Sequence, residues 1–424
     1  MKLVYKFINR HGNERLLSLC RTSKDLYNQA LHACLQALNC EEKRYVSYID
    51  LDRMMKTTEN LEGKINYRLL KAQVAQQTLK AVSNNMASFF RSIKEWKKHP
   101  EKYKGMPRPP RYLRKNGYFQ LAYTNQCASI RDGFVRLDKD LCIPIPQWGK
   151  YGDRLSSFQQ VRVLPKDGYT EVEIVYTTED CDESGLDYGR YASIDLGLGN
   201  FAALVTDFSE PLLYSGKQPK AHNQLYNKRL SEARSKLETE NGRKSSSYTK
   251  RLASKRNARI NDIMHKVSRD IVRRLAEEGV GNLVCGRNKG WKDSISLGKV
   301  NNQNFVQIPY ERFIGMLRYK CGMCGIVFHE VEESYTSKCD ALAMEVICKH
   351  EGYKGKRKKR GLFQSSVGKL VNADVNGALN IMRKVVGDSE YIARIVDRGL
   401  LFRPRRLGNL YNVHGERQIP ERER

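Results

Sequence analysis

The fold class can be inferred from two segments, SIDLGLGN (residues 193–200) and NADVNGALNI (residues 372–381). The first begins with the apolar residues of a buried strand and ends in a glycine-rich turn. The second has the spacing of a helix and carries Asp374 near its start. Asp195 thus ends a strand and Asp374 opens a helix. Each has an ordinary structural interpretation, either an acid before a turn or a helix cap.

The elements around these segments follow the order strand, strand, strand, helix, strand, helix, strand, helix. The predicted strands are YASIDLG, FAALVTD, PLLYSG, GNLVCG and GIVFHEVEES, and the helices are a basic hairpin at about 220–279, residues 304–325 and residues 372–387. Alternating strands and helices of this kind indicate a mixed α/β domain whose sheet is covered by helices. The order is that of an RNase H-like domain.

The first 182 residues have a different texture. LVYKFIN (residues 3–9) alternates apolar and polar residues like a strand, and helical patterns follow at about 23–39 and 65–97. A proline-rich segment at 105–115 ends the helical part, and short strands follow from 118 to 178. If the first strand pairs with the later ones, a β-barrel surrounds an inserted helical lobe.

These patterns divide the chain into domains. The predicted domains are a first barrel strand (1–15), a helical lobe (16–112), the rest of the barrel (113–182), the RNase H-like domain (183–404) with an insert at about 336–370, and a disordered polar tail (405–424).

The charge of the chain requires a polyanionic partner. The 424 residues include 75 Lys and Arg against 47 Asp and Glu, a net charge of +28. A long nucleic acid is the usual partner for such an excess. We expect an intracellular protein without a membrane partner, because no apolar run reaches the roughly 18 residues of a membrane span. The 11 cysteines indicate buried thiols or a metal site in a reducing compartment.

RNase H-like nucleases place carboxylates at the end of the first strand, on a middle strand and at the start of the last helix. Such carboxylates hold two Mg²⁺ ions, roughly 4 Å apart, which assist phosphodiester hydrolysis. Asp195 and Asp374 occur at the first and last of these positions. Their joint occurrence favours a nuclease over either structural interpretation alone.

Several further motifs carry a resemblance to a known family. They are SFF (88–90), GMPRPP (105–110), YTN (123–125), SIDLGLGN, INDIMHKVSR (260–269), NKGWK (288–292), NNQNFVQIP (301–309), ESYTSK (333–338) and NADVNGALNI. Together they resemble TnpB (OrfB), the transposon-encoded RNA-guided nuclease family related to type V CRISPR effectors. The resemblance covers nearly the whole chain. It implies a wedge β-barrel with an inserted helical recognition lobe, followed by a RuvC nuclease domain of the RNase H-like class.

One departure from the family concerns the third carboxylate. The family usually has a glutamate directly after the fourth strand, where this sequence has Gly286 and Arg287. The resemblance to a variant branch implies that Glu333, at the end of the neighbouring strand, supplies the ligand instead. Other acids stay open as alternatives, namely Glu330, Glu332 and Asp293. Loss of the nuclease activity is a further alternative.

A second departure concerns zinc. The family usually carries two CxxC pairs before the last acidic residue, whereas here that interval holds Cys339, Cys348 and His350. Cys321 and Cys324 form a CxxC pair, but upstream. Because structural zinc sites favour two close-spaced pairs, we predict buried thiols and a degenerate ribbon, and leave zinc uncertain.

The resemblance also implies nucleic-acid contacts. Gln76, on the second long helix, and Thr124 correspond to residues that read a short duplex motif beside the target, with Gln77 a rival for Gln76. Glutamine can bind adenine through two hydrogen bonds in the major groove. Lys292 is a candidate contact to a strand that enters the cleft.

The resulting prediction is an RNA-guided, Mg²⁺-dependent DNA endonuclease of the prokaryotic cytoplasm. It would bind a guide RNA and double-stranded target DNA, and Asp195, Glu333 and Asp374 would bind two Mg²⁺ ions. Two alternatives stay open: a compact type V CRISPR effector with the same chemistry, and a nuclease-dead RNA-guided repressor. A transposase of the DDE class is disfavoured, since no separate helical DNA-binding domain is found. The sequence predicts neither the guide, the adjacent motif nor the oligomeric state.

Overall fold

The computed structural model describes residues 2–9, 13–40, 45–155, 157–166, 169–177, 185–243, 245–287 and 307–410. The chain forms two compact units, Met1–Glu179 and Asp180–Arg424, and its fold is mixed α/β. Among the described residues, no helix combines the length and apolarity that a membrane crossing needs.

The first unit contains helices and two antiparallel sheets. Its elements are β1 (Lys2–Asn9), α1 (Asn13–Asn39), α2 (Tyr48–Met55), α3 (Ala72–Lys98), a short 3₁₀ turn (Pro100–Lys102), β2 (Leu121–Thr124), β3 (Ser129–Arg131), β4 (Phe134–Asp138), β5 (Leu141–Pro144), α4 (Trp148–Leu155), β6 (Phe158–Lys166) and β7 (Tyr169–Thr177). One sheet has the order β1-β7-β6-β2 and the other β3-β4-β5. The predicted pairing of the first strand with the later ones is confirmed, since β1 lies antiparallel to β7. In the described residues the strands form these two sheets, and a closed barrel stays a prediction.

The two long helices differ in extent from their predicted bounds. α1 begins at Asn13, ten residues before the predicted start, because Leu16 and Cys20 continue its buried stripe. α3 begins at Ala72 and not at 65. The residues before it form turns, and upstream the side-chain oxygen of Asn60 accepts hydrogen bonds from the backbone of Glu62 and Lys64. The pattern of apolar residues does not reveal such side-chain turns.

The second unit is built on one mixed sheet. Its elements are β8 (Asp187–Leu196), β9 (Asn200–Val205), β10 (Leu212–Ser215), α5 (Lys217–Asn241), α6 (Ser247–Glu277), β11 (Val280–Arg287), α7 (Tyr310–Met323), β12 (Val327–Glu332), β13 (Lys356–Lys359), β14 (Leu362–Gln364), β15 (Leu370–Asn372), α8 (Ala373–Val386), α9 (Glu390–Asp397), a 3₁₀ turn (Leu400–Phe402) and β16 (Arg405–Leu407). The sheet has the order β12-β11-β8-β9-β10-β16. The predicted order of strands and helices around SIDLGLGN and NADVNGALNI is confirmed.

Helices cover both faces of this sheet. Along β9, Ala202 and Leu204 pack into the core that α6 and α7 share, whereas Ala203 and Val205 pack against α8 and α9. Burial on both faces explains why the sequence of β9 is a nearly continuous apolar run. On β8 the same alternation sends Ile194 toward α6 and α7, so its neighbour Asp195 lies on the face that α8 covers.

The predicted disorder from residue 405 is wrong for the first part of the tail. Arg405–Leu407 form an edge strand parallel to β10, and the Arg405 backbone N–H donates to Pro211. Leu407 packs against the core and Leu410 is fully buried. These two leucines anchor a segment whose composition is otherwise polar. The rest of the tail, 411–424, lies outside the described residues.

The insert at about 336–370 is organised around a buried carboxylate. Asp340 is fully buried and accepts hydrogen bonds from both the backbone N–H and the hydroxyl of Ser366, at 2.7 and 3.0 Å. The Ser365 hydroxyl donates to it at 2.8 Å, and two backbone N–H groups close a turn on its other oxygen. The carboxylate thus joins the turn after β12 to the hairpin before α8.

Asp340→Ala is expected to lower the free energy of unfolding by about 3 kcal/mol or more. The substitution leaves several buried donors without an acceptor, at roughly 1–3 kcal/mol for each group left unsatisfied. Chemical denaturation followed by circular dichroism measures the loss, with Glu351→Ala, an exposed acid of the same insert, as the control. Equal stability of the two variants would contradict this account of the insert.

Candidate functional site

Asp195 lies at the end of β8, directly beneath α8. The neighbouring Ser193 donates its hydroxyl to the carbonyl of Ala378 at 2.7 Å, which fixes α8 against the strand. Gly377 makes the close approach possible, because a Cβ at that position would lie 2.7 Å from Asp195 Oδ2. The glycine of NADVNGALNI therefore leaves room for the aspartate of SIDLGLGN.

Glu333 follows β12, which lies parallel to β11. Its carboxylate occupies the space beside Gly286: a Cβ there would lie 2.8 Å from Glu333 Oε2 and 2.6 Å from Ile381 Cδ1. Position 286 lies in the segment where the usual family glutamate is missing. Glu333, which follows β12, thus fills the volume that a side chain at position 286 of β11 would occupy.

Asp374 lies in the first turn of α8, but it does not cap the helix. The cap is Asn372, whose side-chain oxygen accepts from the backbone N–H groups of Asp374 and Val375. The Asp374 carboxylate is free of that role. It accepts a 2.7 Å hydrogen bond from Asn200 Nδ2, and Arg357 lies 4.0 Å from its other oxygen.

The three carboxylates influence one another electrostatically. Burial, followed by the negative charges of Glu333 and Asp374, raises the pKa of Asp195 well above its ordinary value. Arg357 and the backbone N–H of Leu196 oppose this rise. No three His, Cys, Asp or Glu side chains in the described ranges form a ready-made metal site. The three carboxylates lie near one another at one end of the sheet, but they do not form a complete set of metal ligands.

The alternative acids are engaged elsewhere or lie outside the described residues. Glu330 forms ion pairs with Arg287, at 2.7 Å, and with Arg318. Glu332 is exposed and accepts from the hydroxyl of Ser334. Asp293 lies outside the described residues. Among the acids considered for the third ligand, Glu333 is the described one whose charge acts on Asp195.

Asn200 is a site residue that the sequence analysis missed. It is 5% exposed, it begins β9, and its amide N–H₂ group donates to Asp374. A carboxylate only accepts, so the amide must point its nitrogen toward Asp374. Its carbonyl oxygen is then buried without a hydrogen-bond partner among the described residues. The signal was available, since Asn200 is the last residue of SIDLGLGN.

Gln76 and Thr124, the predicted duplex-reading residues, lie in the first unit on α3 and β2. Thr124 donates its hydroxyl to Gln73, which lies one helical turn before Gln76. Gln76 itself hydrogen-bonds to Tyr67. The structure therefore places Gln73, not Gln76, beside Thr124. Lys292, the third predicted contact, lies outside the described residues.

The candidate zinc ligands are found in different surroundings. Cys321 lies in the last turn of α7 and is fully buried in the core, where burial raises its thiol pKa. Cys339 is buried in the insert and its thiol contacts the carbonyls of Val346 and Cys348. Cys348 is exposed beside His350, with 3.3 Å from Sγ to Nε2. Cys324, at the end of α7, is partly buried.

Comparison with known proteins identifies two related segments. A family model described as OrfB_IS605, probable transposase, matches residues 174–292, and one described as Cas12f1-like, TNB domain, matches residues 310–381. Asp195 lies in the first match, and Glu333 and Asp374 lie in the second. The TnpB-like protein ORF457 of Acidianus two-tailed virus is 28% identical over 207 residues, which cover 47% of this chain and 42% of that protein. The match therefore spans less than half the length of this curated relative.

Two solved structures share the fold. One is the Cas12f1–sgRNA–target DNA complex, with a TM-score of 0.56 at 15% identity over 88% of this chain and 82% of that one. The other is the mini-RNA-guided endonuclease CRISPR-Cas_phi3, with a TM-score of 0.52 at 11% identity over 96% of this chain and 94% of that one. Two segments of the chain are thus similar in sequence to OrfB_IS605 transposases and to the Cas12f1-like TNB domain, and its fold is similar to those of the two solved structures.

Proposed function

We propose that this protein is an RNA-guided DNA endonuclease with one RuvC-type centre formed by Asp195, Glu333 and Asp374. The observation that carries the proposal is the position of Glu333. Its carboxylate lies over Gly286, where the strand itself offers no side chain, and its charge raises the pKa of Asp195. Relocation of the third carboxylate accounts for both features, whereas a decayed site has no need of them.

The residues present fit a divalent cation. The donors are carboxylate oxygens, the ligands that Mg²⁺ prefers. Burial, and after it the charges of Glu333 and Asp374, raise the pKa of Asp195, and a cation among the carboxylates would favour their ionised forms. When bound, Mg²⁺ would stabilise the negative charge that develops as water displaces an ester oxygen of the phosphodiester.

The chain's own residues would divide the remaining tasks. Asp195, Glu333 and Asp374 hold the cations, two in number by the family resemblance. Asn200 orients the Asp374 carboxylate through its 2.7 Å hydrogen bond. Arg357 is half-exposed beside the same carboxylate and is available to a backbone phosphate of the strand to be cut.

The proposed partners are a guide RNA and double-stranded target DNA. The net charge of +28 provides the affinity for nucleic acid, and base pairing would provide the sequence specificity. In this proposal residues 16–112 act as the recognition lobe within a wedge barrel, and 183–404 are the nuclease domain. Gln76, Thr124 and Lys292 remain the proposed protein contacts, to which we add Gln73 because Thr124 bonds to it.

The experiment that tests the function uses the protein purified with RNA transcribed beside its own gene. The complex is given a plasmid library in which a target matching the RNA is flanked by random sequence, with and without Mg²⁺. Cleavage that needs the matching target, one flanking motif and Mg²⁺ supports the proposal. Programmed binding without cleavage would favour the nuclease-dead repressor.

Asn200→Ala is expected to slow cleavage by about 10- to 100-fold, the usual cost of losing a group that orients a metal ligand. Target binding should be unchanged, because Asn200 is buried. Single-turnover cleavage and a binding assay on the same preparation separate the two effects. The control is Asn227→Ala, which breaks an amide pair between α5 and Gln307 and does not touch the carboxylates. Equal slowing in both variants would contradict an orienting role.

A further inference from the structure

A cavity of about 350 Å³ opens in the second unit at the end of β8 opposite to the carboxylates. Its wall includes Arg190 near the start of β8, Asp207 after β9, and side chains of α9. Five residues of extended strand, or about 16 Å, separate Arg190 from Asp195. The cavity is therefore distinct from the candidate cleavage centre.

An arginine–aspartate pair gives this cavity a fixed frame. Arg190 binds the Asp207 carboxylate through two parallel hydrogen bonds, both 2.8 Å long. A guanidinium of Arg398 donates to the backbone carbonyl of Asp207, and the hydroxyl of Tyr391 bonds to the β8 backbone at Tyr191. Bidentate pairs of this kind are rigid, so the lining is ordered before any ligand arrives.

Two further arginines on the wall lack an acidic partner. Arg394 lies on α9 and Arg398 directly follows its last residue, and neither forms an ion pair with any described residue. The ring of Tyr391 lies 6.0 Å from the Arg394 guanidinium, which orients that side chain along the wall. The remaining acid, Asp187, accepts from the backbone of Gly189. The cavity lining has three arginines and two aspartates, so its net charge is +1.

We propose that this cavity binds a phosphodiester group of the guide RNA. One phosphodiester carries the single negative charge that neutralises the lining. The Arg394 guanidinium, and the N–H groups of Arg398 other than the one bonded to Asp207, remain available to its oxygens. At about 16 Å from the carboxylates, this phosphate is not the one that is cut, so it belongs to a strand that is held. The inference rests on the proposed function, in which the guide RNA is that strand.

The test reverses the two unpaired charges. Arg394→Glu/Arg398→Glu is compared with Arg251→Glu/Lys255→Glu, which changes the same charge at the same spacing on the exposed surface of α6. RNA affinity is measured by fluorescence anisotropy at several salt concentrations. The cavity variant is expected to bind guide RNA at least about tenfold more weakly than the control and with a shallower salt dependence.

Two single variants distinguish a loss of contacts to RNA from a loss of folding. Arg394→Gln removes one positive charge from a side chain that makes no hydrogen bond to the Arg190–Asp207 pair. It should weaken RNA binding about threefold at an unchanged melting temperature. Asp187→Asn keeps the acceptor for Gly189 and makes the cavity more positive, so it should tighten RNA binding. Changes in these opposite directions cannot arise from a loss of folding.

The outcomes separate this inference from the proposed function. If the wild-type protein binds its RNA and cuts DNA but the cavity and control variants behave alike, the cavity inference fails alone. If RNA binding is intact and only capture of target DNA by the loaded complex weakens, the phosphate belongs to DNA and the assignment to RNA is wrong. If the wild-type protein binds no RNA, the proposed function itself fails.

Discussion

Asp195→Asn is expected to abolish DNA cleavage while RNA-guided binding of the target persists. The asparagine keeps the shape of the side chain between β8 and Gly377 but removes the charge that would hold a cation. Metal-assisted stabilisation of the transition state is worth several kcal/mol, and each 1.4 kcal/mol changes the rate about tenfold. We therefore expect a loss of about a thousandfold or more in the single-turnover rate.

The matched control for this prediction is Asp262→Asn. Asp262 lies on α6, is half-exposed and pairs with Lys266 at 3.0 Å, so the same change of charge occurs away from the carboxylates. Cleavage by this variant should equal that of the wild type. A rate for Asp195→Asn within about tenfold of the wild type would exclude Asp195 from the reaction centre.

The relocated glutamate predicts a rescue by a second substitution. Glu333→Ala should lose cleavage to a similar extent as Asp195→Asn. In Gly286→Glu alone, the new Cβ would lie less than 3 Å from Glu333 Oε2 and Ile381 Cδ1, so the ends of both side chains must shift and the Glu333 carboxylate is displaced. Combining Glu333→Ala with Gly286→Glu removes the first conflict and returns a carboxylate to the site from the neighbouring strand. The double variant should cleave at least about tenfold faster than Glu333→Ala.

Replacing Gly286 by glutamine in place of glutamate shows whether the rescue depends on the carboxylate charge or only on the size of the new side chain. Gly286→Gln/Glu333→Ala has the same side-chain size and lacks the carboxylate, so it should remain as inactive as Glu333→Ala. Adding Ile381→Val to both double variants relieves the remaining contact with the isoleucine. Equal activity of the glutamate and glutamine versions would show that position 286 supplies no ligand.

The sequence was sufficient to predict five strands of the six-stranded sheet and the positions of Asp195 and Asp374. SIDLGLGN and NADVNGALNI carry their own local signals, namely an apolar strand that ends in glycine and a helix with an aspartate in its first turn. The structure adds the reason why Asp374 is available. Asn372 takes over the capping role, so the carboxylate can turn toward Asn200.

Other features depend on long-range contacts that no local pattern reveals. Asn200 meets Asp374 across 174 residues of sequence, and Arg357 reaches the same carboxylate from the basic insert. Burial of Asp340 results from contacts between two separate turns. The position of Glu333 was predicted from a resemblance, whereas the space above Gly286 could be seen only when β11 and β12 were placed side by side.

Guided cleavage by single glutamate variants tests whether Glu333 completes the nuclease centre. Guided cleavage in Mg²⁺ is compared among the wild type, Glu333→Gln, Glu330→Gln and Glu332→Gln, each loaded with the same RNA and shown to bind the same target. We predict that only Glu333→Gln loses cleavage while its target binding is retained. Cleavage by Glu333→Gln at the wild-type rate would contradict this role of Glu333, and so would a wild-type complex that binds its target and leaves it uncut.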